Sequence, residues 1–266
     1  GNVENAAALE ITLRGPRLRF DSGALIALTG AVIDARCATQ EIPLWRPVWI
    51  HAGSELDLGG MRRGARSYLA VAGGIDVATA LGSRSTDINA ALGPFSGRGL
   101  VAGDDLETGK TADGRLSPLS AALGGRPAGD HAGRDGIAAA NWSLDPQPWF
   151  DARGDLPVAL ARGSHFERLS AASRRALFAS EFRVGNESNR VGYRLESAKL
   201  KLDAPVELIS EGVVPGTMQL PPNGIPIVLM AEVPIITRSS RRTKTTLAEP
   251  RVDIVGIVAS TGGPLA

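Results

Sequence analysis

Ser67-Tyr-Leu-Ala-Val-Ala-Gly-Gly-Ile-Asp76 is the stretch on which the fold turns. Leu69 and Val71 put apolar groups on one side of an extended segment, and the paired glycines that follow bring it to a close. The pattern predicts a half-buried strand over Ser67 to Ala72. The same alternation at Leu9, Ile11 and Leu13 predicts another over Leu9 to Leu13. Further short apolar runs lie at Ala24 to Thr29, Pro47 to His51, Leu156 to Ala161, Phe182 to Val184, Val206 to Ile209, Met218 to Leu220 and Ile225 to Met230. The 32 glycines and 17 prolines fall between such runs. A spacing of about ten residues between turn signals is the rhythm of strands joined by tight turns, so a mostly β architecture with few short helices is expected.

One segment has a helical period instead. His165 to Ser180 carries Phe166, Leu169, Leu177 and Phe178 on one stripe, and Ser164 with Glu167 three residues on has the form of a capping box. Between Lys110 and Gln147 the sequence thins to Gly, Ala, Ser, Pro and scattered charge, with few large apolar residues to offset the entropy of ordering the backbone. Residues 110–150 are therefore read as a linker or surface excursion between a first β lobe (1–109) and a second (151–232). Beyond these, 233–266 forms a tail of different character, basic and rich in hydroxyl groups, with a strand expected only at Val252 to Val258.

Composition narrows the function classes. The chain of 266 residues has room for one large β domain or two small ones. Its 29 basic and 28 acidic side chains nearly cancel, so no global field draws it to nucleic acid or to an anionic membrane. The single cysteine, Cys37, excludes an internal disulfide framework and a Cys cluster for zinc, and cytoplasm is the expected location. No run approaches the roughly 20 apolar residues of a membrane-spanning helix.

Three constellations could carry chemistry. In the first, Gly73-Gly74 permits close approach of a ligand or of another backbone, and Leu81-Gly-Ser-Arg-Ser-Thr-Asp87 then offers Arg84 and Ser85 as anion-compatible donors. A simple turn with locally satisfied hydroxyls accounts for the same residues. In the second, Asn186-Glu-Ser-Asn-Arg-Val-Gly-Tyr-Arg194, the guanidinium groups of Arg190 and Arg194 with the amide of Asn189 could hold a planar carboxylate or ureido group. The alternative is a salt bridge to a neighbouring strand. In the third, Ile209-Ser-Glu-Gly-Val-Val-Pro-Gly-Thr-Met-Gln-Leu-Pro-Pro-Asn-Gly224, Glu211 and Gln219 lie in a turn-rich run that could wrap a pocket or merely join two strands, with Asn223-Gly224 as a hairpin turn.

The three histidines, His51, His131 and His165, are too scattered for a metal site or a Ser-His-Asp relay, and are read as non-catalytic. No dinucleotide fingerprint and no phosphate loop is present, so ATP binding by this chain alone is not expected. Neither is there a biotinylation sequence of the Ala-Met-Lys-Met type. Biotin, where it is used, has to arrive on another protein.

Taken in order, Tyr68-Leu-Ala-Val-Ala-Gly-Gly-Ile-Asp, Leu81-Gly-Ser-Arg-Ser-Thr-Asp, Gly103-Asp-Asp-Leu, Ser188-Asn-Arg-Val-Gly-Tyr-Arg-Leu and Ile209-Ser-Glu-Gly-Val-Val-Pro-Gly resemble the biotin-dependent carboxyltransferase domain family. That group contains the C-type subunits of 5-oxoprolinase, allophanate hydrolase subunit 2-like proteins and the carboxyltransferase domain of urea carboxylase. The likeness runs from about Gly1 to Glu232. It implies a cyclophilin-like β-barrel architecture in two lobes, acting beside a smaller B-type partner and a third hydrolase subunit.

The activity implied is that of a hydrolase subunit, opening 5-oxo-L-proline to L-glutamate with ATP supplied through the partners. Alternatives within the resemblance are carboxyl transfer from a biotin carrier to urea or a related amide, and regulation of a kinase-inhibitor partner. Gly73, Gly74, Arg84, Ser85, Asn189, Arg190 and Arg194 are the expected substrate contacts, Glu211 and Gln219 the expected catalytic pair, and no metal is expected. Two departures stand out. A Gln-Asp-Xaa-Gly-Arg segment and a Ser-Gly-Ala-Met-Asp-like stretch do not precede Gly1, and no Thr-Gly-Gly-Tyr-Pro segment follows Glu232. Part of the first lobe is therefore expected to be missing, and the tail to reflect either divergence or a change of reading frame.

Overall fold

The structure, a computed structural model, describes residues 2–110, 117–124, 136–146, 160–197, 199–204, 213–230 and 257–258. The chain divides into two compact units, Gly1–Ala152 and Arg153–Ala266. Among the described residues it is mostly β, as expected from the alternating runs.

The described residues of the first unit form nine strands in two sheets. β1 (Leu9–Thr12), β3 (Ala24–Ile33), β6 (Pro47–Ile50), β8 (Met61–Val71) and β9 (Ile137–Ala139) form a sheet in the order β1-β8-β3-β6-β9, antiparallel at each described pairing. β2 (Arg17–Arg19), β4 (Arg36–Cys37), β5 (Gln40–Glu41) and β7 (Glu55–Asp57) form the other, in the order β2-β7-β4-β5. Leu28, Val48, Ile50 and Leu69 from the first sheet meet Leu56 and Cys37 from the second in one core. Each such aliphatic side chain contributes about 1.5–3 kcal/mol by leaving water.

The long central strand β3 shows how the sequence builds this. Its inward residues are the even-numbered Ile26 and Leu28 and then the odd-numbered Ala31 and Ile33. A register shift next to Gly30 changes the phase. Gly30 sits at φ +94, against the Arg66 carbonyl, where a side chain has no room. The buried Ser67 hydroxyl donates to the Ala31 carbonyl at 2.9 Å, satisfying a polar group that the bulge takes out of the ladder.

Residues 137–139, within the stretch expected to be a linker, pair with β6 as an edge strand of the first unit. The helix α1 (Ser117–Gly124) packs Leu119 and Leu123 beside Trp49, Leu25 and Ala138 on the outer face of the sheet. Strand β1 stops one residue early, because Leu13 adopts φ +61 and is turned out to solvent instead of inward with Leu9 and Ile11.

The second unit holds a sheet in the order β10-β11-β13-β12-β14, made of β10 (Arg183–Val184), β11 (Gly192–Glu196), β13 (Ile227–Leu229), β12 (Met218–Gln219) and β14 (Ile257–Val258). Its core gathers Phe166, Leu169, Leu177, Leu200, Met218 and Leu220. The expected helix over His165 to Ser180 is broken in two. Phe166–Arg168 is a single 3-10 turn, and α2 spans only Ala171–Ala179. The fully buried Leu169 is drawn into an antiparallel bridge with Leu202, which forces extended backbone at Leu169 and Ser170.

The helix cap is consequently Ser170, whose hydroxyl accepts from the Ser173 amide at 3.1 Å, and not Ser164. Glu167 pairs with Arg162 and Arg174 in place of closing a capping box. Phe178 is exposed, touching Phe166 edge to face at a centroid distance of 6.3 Å. Of the strands expected at Leu156 to Ala161 and Val206 to Ile209, residues 156–159 and 206–209 lie outside the described residues, and Leu160 and Ala161 are not in a strand.

Candidate functional site

In the first unit, the end of β8 is woven to two other segments. The Gly74 amide returns to the Val71 carbonyl (2.8 Å), Ile75 donates to Ala7 (3.0 Å), Asp76 to Glu107 (2.8 Å), and Gly109 to Gly74 (2.9 Å). Gly73 and Gly74 sit at φ +90 and +76, and a Cβ on Gly73 would lie 2.0 Å from the Gly109 carbonyl oxygen. What approaches this glycine pair is therefore backbone, the second of the two readings that the sequence allowed. Asn2 completes the weave: its side-chain amide donates to the Val71 carbonyl (2.7 Å) and its oxygen accepts from the Gly73 amide (2.9 Å), taking the place of a neighbouring strand.

Arg84 reaches this weave. Its Nη1 donates to the Asn5 carbonyl at 3.2 Å, and among the described residues it has no carboxylate partner. Ser85 beside it is exposed, its amide bound to the Ser83 hydroxyl at 3.1 Å. The half-buried guanidinium of Arg84 thus keeps most of its donors and its full charge for an anion.

The loop carrying these residues doubles back on itself. The backbone of Gly93 lies against the Ser85 carbonyl, where an added Cβ would stand 2.4 Å away. Phe95 and Ser96 both take left-handed conformations, with φ +53 and +57. Beyond them Arg98 forks onto Asp104, with Nη1 and Nη2 at 2.7 and 2.8 Å from its two oxygens. Asp104 also accepts from the Val101 amide at 2.8 Å. The Arg98 guanidinium, with help from that amide, holds the Asp104 carboxyl well below the ordinary carboxylate range, at about 2.

In the second unit, the turn between β10 and β11 is held by its own side chains. Asn189 Oδ1 accepts from the Val191 and Gly192 amides (2.9 and 3.2 Å), and the Ser188 hydroxyl accepts from the Arg194 amide (2.9 Å). Arg194 donates Nη1 to the Glu187 carbonyl at 2.6 Å and, like Arg84, has no carboxylate partner among the described residues. The salt bridge allowed as an alternative for Arg194 is not formed there. Arg190 is exposed in the turn itself.

Sheet register brings two expected residues together. Arg194 on β11 and Gln219 on β12 are both directly opposite Ile227 on the intervening β13. Directly opposed residues of antiparallel pairs point to one face, so the guanidinium and the carboxamide share a side of the sheet about 10 Å apart, two strand spacings. Glu211 and His131 lie outside the described residues.

Among the described residues no group of three or more His, Cys, Asp or Glu side chains could hold a metal ion, and no helix is long and apolar enough to cross a membrane. An open groove of about 360 Å³ runs beside β1, lined by Leu9 to Thr12, Arg14 to Pro16 and Leu100, and it includes none of the expected site residues.

Sequence reasoning passed over Asn2 and the Arg98–Asp104 fork. The fork had a signal: opposite charges six positions apart flanking a glycine-containing turn. Asn2 had none, because its role depends on a strand edge about 70 residues away.

The family description "carboxyltransferase domain, subdomain A and B" matches residues 1–237. The chain is 36% identical over 230 residues to the C-type subunit of 5-oxoprolinase from Escherichia coli (strain K12), covering 86% of this chain and 65% of the length of that relative. It is 40% identical over 108 residues to urea amidolyase of Lachancea kluyveri, which is 40% of this chain and 6% of that protein. Among solved structures it resembles that of K. lactis urea amidolyase, with a TM-score of 0.58 and 24% identity over 84% of this chain and 13% of that one, a likeness of fold.

Proposed function

Because the chain belongs to the carboxyltransferase-domain family, we propose that it is the C-type subunit of an ATP-dependent 5-oxoprolinase, holding 5-oxo-L-proline or an intermediate formed from it while partner subunits supply the ATP chemistry. The observation that carries this reading is coverage. Similarity to the C-type subunit of 5-oxoprolinase extends over 86% of the chain, whereas similarity to urea amidolyase is confined to 40% of it.

The substrate's chemistry suits the residues at hand. 5-Oxo-L-proline is a planar lactam with one carboxylate. Ring opening adds water across the C–N bond to give glutamate, and places negative charge on the lactam oxygen as the carbonyl is attacked. Guanidinium groups without carboxylate partners among the described residues, Arg84 in one unit and Arg194 in the other, are suited to hold a carboxylate or such an oxyanion. The Ser85 hydroxyl would add a donor beside Arg84, with Gly73 and Gly74 shaping the backbone near it, and Arg190, the amide nitrogen of Asn189 and Gln219 would add donors around Arg194. Glu211 is assigned the proton transfers, and this chain is assigned neither metal nor nucleotide. The partners proposed are a smaller B-type subunit and a third hydrolase subunit.

A second reading, carboxyl transfer from a separate biotin carrier to urea or a related amide, is favoured by the 40% identity to urea amidolyase within its 108-residue span. The two are told apart by assaying the chain, assembled with partner subunits from its own source, in parallel mixtures. One contains 5-oxo-L-proline with ATP and is read by glutamate release. The other contains urea and a biotin carrier whose carboxyl group is isotopically labelled, and is read by fixation of that label on urea. Glutamate release without fixation supports the first reading; fixation without glutamate overturns it in favour of the second.

A further inference from the structure

Arg98 and Asp104 lie outside the residues assigned to substrate, yet they form the tightest side-chain cluster of the first unit's loop. Two charge-assisted bonds of 2.7 and 2.8 Å join them, Arg98 Nη1 also donates to the Gly99 carbonyl (2.9 Å), and Asp104 accepts the Val101 amide (2.8 Å). The guanidinium also lies 5.5 Å from the centroid of the Phe95 ring. The Asp104 side chain is only 13% exposed. A fork of this geometry fixes direction as well as distance, which a point charge does not.

What the fork fixes is the limb that supports Arg84 and Ser85. Phe95 and Ser96 stand in left-handed backbone, a conformation that side-chain-bearing residues keep only when their surroundings hold them there. Arg98 grips this turn from one end through the Phe95 ring and through its own amide, which donates to the Phe95 carbonyl at 3.3 Å. At the other end Gly93 rests directly on the Ser85 carbonyl, and Gly97 rests on the backbone of Ala91 and Leu92. A shift at Arg98 therefore passes through Gly93 to the peptide that joins Ser85 to Thr86, one residue from Arg84.

We propose that Arg98 and Asp104 are positioning residues: their fork sets the backbone from which Arg84 and Ser85 reach the substrate's anionic group. The inference rests on the proposed reading that Arg84 binds substrate. Arg98→Lys keeps the charge and loses the fork, and Asp104→Asn keeps the shape and loses the charge, so both are mild enough to leave the fold in place.

The test uses the full chain assembled with its partner subunits, measuring kcat and KM for 5-oxo-L-proline, equilibrium binding of 5-oxo-L-proline, and the melting temperature. Either variant is expected to raise KM and the dissociation constant about tenfold with kcat within about twofold, since misplacing a binding group costs mainly affinity. In an Arg84→Ala background, Arg98→Lys is expected to change neither constant by more than about twofold, because residues acting through one another are non-additive.

A lowered melting temperature with unchanged KM in both variants would make the fork merely structural and overturn the proposal. So would an effect of Arg98→Lys that is equally large without Arg84. If Arg84→Ala itself leaves binding at the wild-type value, or the wild-type assembly does not bind 5-oxo-L-proline, the underlying reading fails and this inference with it. That outcome is distinct from a large effect of Arg84→Ala beside silent fork variants, which sinks the inference alone.

Discussion

Gly73 and Gly53 offer a matched pair of perturbations. Both occupy left-handed backbone, at φ +90 and +84, but a Cβ on Gly73 would meet the Gly109 carbonyl oxygen at 2.0 Å while one on Gly53 would find nothing within 4 Å. Alanine at either position bears the cost of left-handed backbone, about 1–2 kcal/mol. At Gly73 it must also push aside a segment held by the bond from the Gly109 amide to the Gly74 carbonyl. Overpacking of that kind costs a further 1–3 kcal/mol, roughly.

Gly53→Ala should therefore destabilise by about 1–2 kcal/mol and Gly73→Ala by about 2–5, with the gap being the packing part alone. Both sites lie in the first unit, and all four tryptophans (Trp45, Trp49, Trp142 and Trp149) occur at or before residue 149, so urea unfolding followed by tryptophan fluorescence reports on that unit. Equal slopes with midpoints in the stated order are expected. A gap below about 0.5 kcal/mol would refute the claim that backbone, not open space, faces Gly73.

Other perturbations test other parts of the account. Leu28→Ala, at a fully buried position between the two sheets of the first unit, should cost about 2–5 kcal/mol in the same titration. Ser170→Ala should destabilise the second unit by about 1 kcal/mol by removing the helix cap, whereas Ser164→Ala should stay within about 0.5 kcal/mol; calorimetry on both distinguishes the two capping assignments. The Asp104 carboxyl titrates near 2 in the folded chain, against an ordinary value of 3.8. The folded state therefore binds fewer protons than the unfolded state in that interval, and the stability Asp104 contributes is present above 3.8 and lost as pH falls to about 2. Melting curves of wild type and Asp104→Asn should accordingly converge across that window, and a constant offset down to pH 2 would contradict the assignment.

Much of the β architecture could be read from the chain because alternation is a local property, and Leu69, Val71, Leu9 and Ile11 announce their face directly. Legibility stopped where geometry changed phase. Gly30 looks like the end of a strand, yet it is a bulge, and β3 runs on to Ile33 with its inward residues shifted by one. Leu169 sits on the apolar stripe of an apparent helix but is buried more fully by bridging the distant Leu202, and that long-range contact moved the helix start. Short strands such as Arg36–Cys37 and Gln40–Glu41 carry no alternation at all: the first exists because β7 offers it a partner edge, and the second because the first does.

The candidate site followed the same division. The residue types of Arg84, Asn189, Arg194 and Gln219 pointed to anion and amide binding. That Arg84 and Arg194 lack carboxylate partners among the described residues, that Asn189 spends its oxygen on its own turn, and that Arg194 and Gln219 face the same way across Ile227 are facts of tertiary register.

The most direct test of the central claim is an omission measurement: ATP-dependent glutamate release from 5-oxo-L-proline by the partner subunits with and without this chain. Release is expected only when the chain is present, and most of it should be lost when Arg84→Ala and Arg194→Ala replace the wild type. Release at the same rate without the chain, or unaffected by both substitutions, would contradict it.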